Sequence, residues 1–256
     1  MKDRVTLCAD AVAGWHAAWL TALGIRSIQN GNAWRASEAP YFIYFAGITL
    51  RPDTPAAAVA SSPGAVCDSW STLDLSSFDF RLWKTEPWFH RPAGILSAEE
   101  APGELEIVRV TTADEVAELE AVSVRGFAQE DATIEPGIMH PPTVLEDPRM
   151  VLWLGRVSGA PVGAAMSFRT DEAVGIFGVT TVASARRRGY GTALTRAAIL
   201  PETNLPAVLA PSPEAERLYE RLGFRRVGEL RIWSRKSRAR DAAITARRLH
   251  EHLPAV

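Results

Sequence analysis

Residues 185–194 read ARRRGYGTAL, and the choice of fold turns on them. Three consecutive arginines, Arg186, Arg187 and Arg188, suit nucleic acid, a phosphate group or plain solvent. Gly189, Tyr190 and Gly191 come next, ahead of a run that puts Tyr190, Leu194, Ala197 and Ala198 on one helical face. Upstream, AVGIFGVTTV (173–182) is predicted as a strand. A strand, then Gly-x-Gly, then a helix is suited to hold a phosphate. Glycine lets the backbone turn tightly enough for successive N–H groups to converge. The helix N-terminus adds unsatisfied donors and the positive end of its dipole, and arginine adds charge and a donor fork. A Rossmann site is disfavoured, because it needs a third glycine position inside a parallel βαβ unit and this strand follows a hairpin.

Composition narrows the rest. The chain has 256 residues, is 47% hydrophobic and carries eight Trp and nine Phe, enough for a large core. A formal net charge of −2 gives no global field for nucleic acid, so any basic function is local. Two cysteines, Cys8 and Cys67, make neither a disulfide framework nor a zinc site. The N-terminus lacks the apolar run of a signal peptide, and no stretch approaches the ~20 apolar residues of a membrane span. A cytoplasmic protein is the expectation.

The pass along the chain predicts a helix over 9–23, a buried strand over YFIYFAGITL (41–50) and an acidic linker over 96–106. From residue 105 the order is β-α-β-β-β-α-β-α-β, a mixed α/β layer architecture. A strand at 105–110 leads to a capping box, Thr112-x-x-Glu115, opening a helix. Residues 149–157 and 162–169 form a hairpin, with 173–182 as its third strand. After the glycine loop come a short strand at 206–210, a helix with Ala215, Leu218, Tyr219 and Leu222 in step, and a last strand at 224–235. No internal repeat is visible.

Arg186-Arg187-Arg188-Gly189-Tyr190-Gly191 matches (Gln/Arg)-x-x-Gly-x-(Gly/Ala), preceded by VTTVASA (179–185) and followed by SPEAERLYERLGF (212–224). Together these motifs strongly resemble the GNAT acyltransferase superfamily, over about residues 105–236. The resemblance implies a mixed sheet in which two neighbouring strands splay apart to admit a pantetheine arm. It implies acetyl-CoA as co-substrate, no metal, and direct transfer to a primary amine. By position it assigns Arg186, Arg187, Arg188, Gly189, Tyr190, Gly191 and Thr192 to the coenzyme pyrophosphate, largely through backbone amides. Val179, Thr180 and Thr181 fall on the splayed strand, where the pantetheine would bond as an added strand. Ser212 stands where many relatives place Asn, and Tyr219 matches the tyrosine that protonates the departing thiolate.

Alternatives stay open at two places. The arginines also fit a solvated face, and Tyr219 also fits the apolar stripe of its helix. The base that frees the amine is not on the predicted strands, since neither AVGIFGVTTV nor PAVLA holds a carboxylate. Candidates lie in 126–144: Glu130 or His140 first, with Asp131 and Glu135 beside them.

The division expected is an N-terminal accessory α/β domain (1–103), loosely like a degenerate GNAT half, a GNAT domain (104–236) and a basic helix or tail (237–256). It carries the corollary that 104–256, if folded, still binds coenzyme. Trp83, Trp88, Phe89 and His90 are read either as a wall of the acceptor site or as core. The partner expected is a small amine, with no nucleic acid or membrane, and a homodimer is left open. Rival functions are a coenzyme-binding module with decayed catalysis and a protein-modifying transferase.

Overall fold

The computed structural model describes residues 2–96 and 101–236; the segment 237–256, read above as a basic helix or tail, lies outside the described residues. Helix α1 is Arg4–Ala22, earlier than predicted because Asp3 caps it, its carboxylate accepting the N–H groups of Val5 and Thr6. Strands β1 (Ser27–Gln29), β2 (Ala33–Ala36), β3 (Gly47–Thr49), β4 (Val66–Asp68) and β5 (Phe80–Arg91) follow. The strand predicted at 41–50 therefore shrinks to three residues. Its aromatics instead fold into turns, where Tyr44 and Phe45 pack as core.

From β6 (Leu105–Arg109) the order holds as predicted: α2 (Ala113–Phe127), β7 (Met150–Val157), β8 (Ala160–Arg169), β9 (Val174–Thr181), α3 (Tyr190–Ile199), β10 (Ala207–Leu209), α4 (Glu216–Arg221) and β11 (Arg225–Arg235). Thr112 and Glu115 form the capping box that opens α2.

All eleven strands make one sheet, in the order β1-β2-β3-β4-β11-β5-β10-β9-β8-β7-β6. The order reads alike outward from its centre. On each side an antiparallel hairpin meets a parallel pair, β3 with β4 and β9 with β10. Each parallel pair then meets a strand from the other half of the chain, β11 beside β4 and β5 beside β10. The two exchanged strands pair with each other along almost their whole length. The repeat that the sequence does not display is thus present in the topology, and the sheet runs unbroken across residue 103.

Helix α1 crosses the centre of this sheet, so that Ala11 meets Gly175 and Trp15 stacks on Phe177 with ring centroids 4.9 Å apart. It shares one core cluster with α2 residues Val116 and Leu119 and with Trp88 of β5. A second cluster, with Leu194, Tyr219 and Phe224, lies under α3 and α4. Cys8 and Cys67 are free and buried. Among the described residues, no helix is long and apolar enough to cross a membrane, and no group of three or more His, Cys, Asp or Glu could hold a metal.

Candidate active site

Strand β10 is short, and that shapes the site. It pairs with β9 at two rungs, Val174–Ala207 and Gly175–Val208, and with β5 at three, Ala207–Arg91, Val208–His90 and Leu209–Phe89. Beyond those rungs β9 continues to Thr181 while β10 ends and leads into α4. One edge of β9 still pairs with β8, with a bulge between the Met166–Phe177 and Ala164–Thr180 rungs. Gly178 sits in the bulge at φ +57°, a conformation that glycine adopts readily. The other edge, from Ile176 to Thr181, has no strand partner among the described residues. Val179, Thr180 and Thr181 therefore lie on an edge of β9 that no strand among the described residues pairs with.

The arginine-glycine loop stands at the upper end of this edge. A single 3-10 turn at Ala183–Ala185 leads to it, and Gly189 is the N-cap of α3 at φ +82°. With no side-chain cap, the N–H groups of Tyr190, Gly191 and Thr192 have no intrahelical acceptor and carry the helix's positive end. The arginines divide. Arg186 donates to Thr181 O at 3.2 Å and Gly126 O at 2.8 Å, tying the loop to β9 and α2. Arg187 and Arg188 are exposed, Arg187 at φ +61°. The Tyr190 ring turns into the core, and its hydroxyl donates to Glu104 Oε1 at 2.8 Å. What Tyr190 offers the loop is its backbone. Gly189 and Thr192 also border a cavity of about 520 Å³ with Pro102, Arg196 and Arg221.

Tyr219 and Ser212 follow β10. Ser212 O accepts the Ala215 N–H at 2.9 Å in the turn that starts α4. Tyr219 is 7% exposed and packs edge-on to Phe224. Burial pushes its hydroxyl up to about 12, against a hydrogen bond with Thr195 that pulls the other way. Thr195 in turn donates to Gly191 O at 2.8 Å, so the phenol is linked through α3 to the glycine loop.

The candidate bases are placed apart. Glu130 is a tie: its carboxylate accepts both the N–H and the hydroxyl of Ser184, which holds it below the usual carboxylate range. His140 is 3% exposed and stacks on Trp19 at 4.4 Å. Its Nδ1 lies 3.0 Å from the Tyr44 hydroxyl, and burial lowers it to about 4. Asp131 and Glu135 stand in the same connecting segment. What orders that segment is a residue the sequence reading passed over. Glu120 of α2, fully buried, accepts the N–H groups of Gly137, Met139 and His140 at 2.6, 2.6 and 3.0 Å. Its only sequence signal was an acid on the inner face of an amphipathic helix.

Residues 113–224 match the family model described as the acetyltransferase (GNAT) family. That span holds the glycine loop, the open edge of β9 and Tyr219. The chain carries a GNAT-family acetyltransferase domain. Its type is that of an acyltransferase. A comparison with curated proteins finds no match. Among solved structures, a GCN5-related N-acetyltransferase from Kribbella flavida is 19% identical with a TM-score of 0.62, covering 88% of this chain and 96% of its own. A GNAT-family protein from Novosphingobium aromaticivorans is 16% identical with a TM-score of 0.57, covering 90% and 99%. A GCN5-related N-acetyltransferase from Sphaerobacter thermophilus is 19% identical with a TM-score of 0.51, covering 71% and 62%. At these identities the likeness is one of fold, and in the first two it extends over the N-terminal half outside the GNAT span.

Proposed function

We propose that this protein transfers an acetyl group from acetyl-CoA directly to a primary amine of a small molecule. The observation that carries the reading is the pairing of an unpartnered β9 edge with a helix N-terminus at its upper end. An extended pantetheine completes the first, and a pyrophosphate accepts from the second. Arg187 and Arg188 add positive charge beside the phosphates. An N–H on the β9 edge, at Val179 or its neighbours, polarises the thioester carbonyl as charge builds on its oxygen. Tyr219 is the buried residue of α4, in the core cluster it shares with α3, and a phenol raised to about 12 keeps its proton at neutral pH. That is the form needed to protonate a departing thiolate. Residues 1–103 then shape the acceptor side, where α1 and the aromatic segment 41–45 lie.

Gly189→Asp tests the cradle. Acetyl-CoA is expected to raise the Tm of the native protein by ligand linkage, and a carboxylate at this left-handed N-cap is expected to abolish the shift. A folded Gly189→Asp protein with the full shift places the pyrophosphate elsewhere. The amine is found by measuring thiol release against an amine library.

A further inference from the structure

The GNAT span leaves one chemical role unfilled, since β9 and β10 hold no carboxylate to take the amine's proton. Strand β5, from the other half of the chain, does hold one. Its register against β11 is continuous from Glu86 to Trp88, so these two side chains share a face of the sheet. Trp88 belongs to the cluster that contains Trp15 of α1 and Phe177 of β9, which puts Glu86 on the α1 side. Only 4% of Glu86 is exposed.

Register also gives its height. Val208 faces Gly175 on one side and His90 on the other, so these three share a rung. Four residues along β5 from His90 is Glu86, about 13 Å up at ~3.3 Å per residue. The same climb along β9, allowing for its bulge, reaches Val179 and Thr180. At that height β10 has ended, and β5 and β9 stand two strand spacings apart, roughly 10 Å, which is room for one extended chain. Glu86 therefore borders the gap at the level of the β9 groups assigned to the thioester. Lys84 Nζ forms an ion pair with its carboxylate at 2.5 Å. Among the described residues, Cys67 on β4 lies close enough to feel its charge, and Cys8 on α1 interacts with Cys67 in turn. Burial raises both thiols, so they stay uncharged.

We propose that Glu86 is the general base, taking a proton from the acceptor ammonium directly or through one water; this rests on the acyltransferase reading. The ammonium loses one proton to the carboxylate, and its freed electron pair forms the C–N bond to the thioester carbon. The C–S bond breaks, its electrons leave on sulfur, and the Tyr219 hydroxyl supplies the proton. Proton transfer from Glu86 back to the phenolate, through solvent, and loss of the second amine proton restore the site. Acid and base then act from opposite faces of one sheet, and neither half of the chain holds both.

The test uses the full-length protein, acetyl-CoA and a library of primary amines that includes benzylamine, spermidine, kanamycin and alanyl peptides. With the best amine, Glu86→Gln is expected to lower kcat/KM about 10²–10³-fold at pH 7. Acetyl-CoA affinity by calorimetry should stay within twofold. The deficit should narrow as pH approaches the amine's own pKa, because the amine then loses its proton unaided. Glu86→Asp keeps the charge beside Lys84 but withdraws it by one methylene, and a loss of about tenfold or more is expected. A buried ion pair without a catalytic role would give a deficit that pH does not change, matched by Lys84→Met; that outcome overturns the proposal, as does full turnover in Glu86→Gln or Glu86→Asp. An active native protein with an unimpaired variant removes Glu86 alone. Native protein that is inactive with the whole library removes the acyltransferase reading and the base with it.

Discussion

Strands β3 and β4 pair in parallel through Gly47–Val66 and Ile48–Cys67, while β9 and β10 do so through Val174–Ala207 and Gly175–Val208. Even the bond before the first rung is repeated, Gly47 N–H to Ala65 O in one half and Val174 N–H to Pro206 O in the other. Past the second rung they part. In the first half Ser69 N–H donates to Thr49 Oγ1 at 2.8 Å, and the Ser69 hydroxyl donates to Thr49 O at 2.9 Å. Both residues are buried, so the strands are stitched together where their counterparts diverge. The crossovers differ too. Residues 50–65 hold a single 3-10 turn, where 182–206 hold the glycine loop and α3. One pair is stitched past its second rung, and the other forms no further rung among the described residues. In the proposed function, a parallel pair becomes a binding site by what is left unpaired.

The largest effect expected from breaking this arrangement comes from removing residues 1–100. The division at residue 103 suggested that 104–256 would still bind coenzyme. The sheet argues otherwise, because β5 is the neighbour of both β10 and β11. Without it β10 keeps two rungs to β9, and β11 has no strand beside it. Phe89 also leaves the cluster beneath α3 and α4. The fragment is expected to show no cooperative melt by circular dichroism and no acetyl-CoA binding by calorimetry. A folded, binding fragment would make the strand exchange ornamental.

The C-terminal half was legible in sequence because its signals are local. The Thr112–Glu115 box, the hairpin and the Gly189 turn are each fixed within a few residues. The strand exchange was not legible, since nothing near Phe80–Arg91 tells that strand to insert between two strands more than a hundred residues later. Glu86, proposed above as the base, was passed over for the same reason: its rung partner, Leu230 of β11, is remote in sequence, and so is the β9 edge. The run 41–50 misled because aromatic and β-branched content marks burial as much as strand. Tyr44 and Phe45 are buried in turns. Glu130 and His140 were chosen by residue type, whereas the structure gives each a partner that occupies it.

Next in size is Tyr219→Phe, which asks whether the open pair is catalytic as well as open. If its hydroxyl protonates the thiolate, turnover should fall by about 10²–10⁴-fold, equivalent to roughly 2.7 kcal/mol or more in the barrier. Coenzyme affinity should hold, because Phe keeps the ring against Phe224. Loss of the bond to Thr195 alone would cost about 0.5–1.5 kcal/mol of stability and leave turnover intact. Turnover and melting measured on the same preparation separate the two roles.

Thr49→Val carries the smallest expected effect and bears directly on the closed pair. Valine matches threonine in shape but offers no oxygen to the Ser69 N–H, which is buried and has no water to turn to. An unsatisfied buried donor costs about 1–3 kcal/mol. For a chain of this size each kcal/mol lowers Tm by roughly 2–4 °C, so a drop of several degrees is expected. The bond from the Ser69 hydroxyl to Thr49 O survives the change, which keeps the loss moderate. Acetyl-CoA should bind with native affinity and a stoichiometry of one per chain, in the variant as in the native protein. The crossover between β3 and β4 offers no glycine loop or α-helix N-terminus for a second pyrophosphate, whether or not these strands are stitched. Two coenzymes per chain by calorimetry would mean that the first pair is a site as well. A weakened single site would mean that the stitch supports the gap across β11 and β5, and the two halves would then be coupled through the sheet they share.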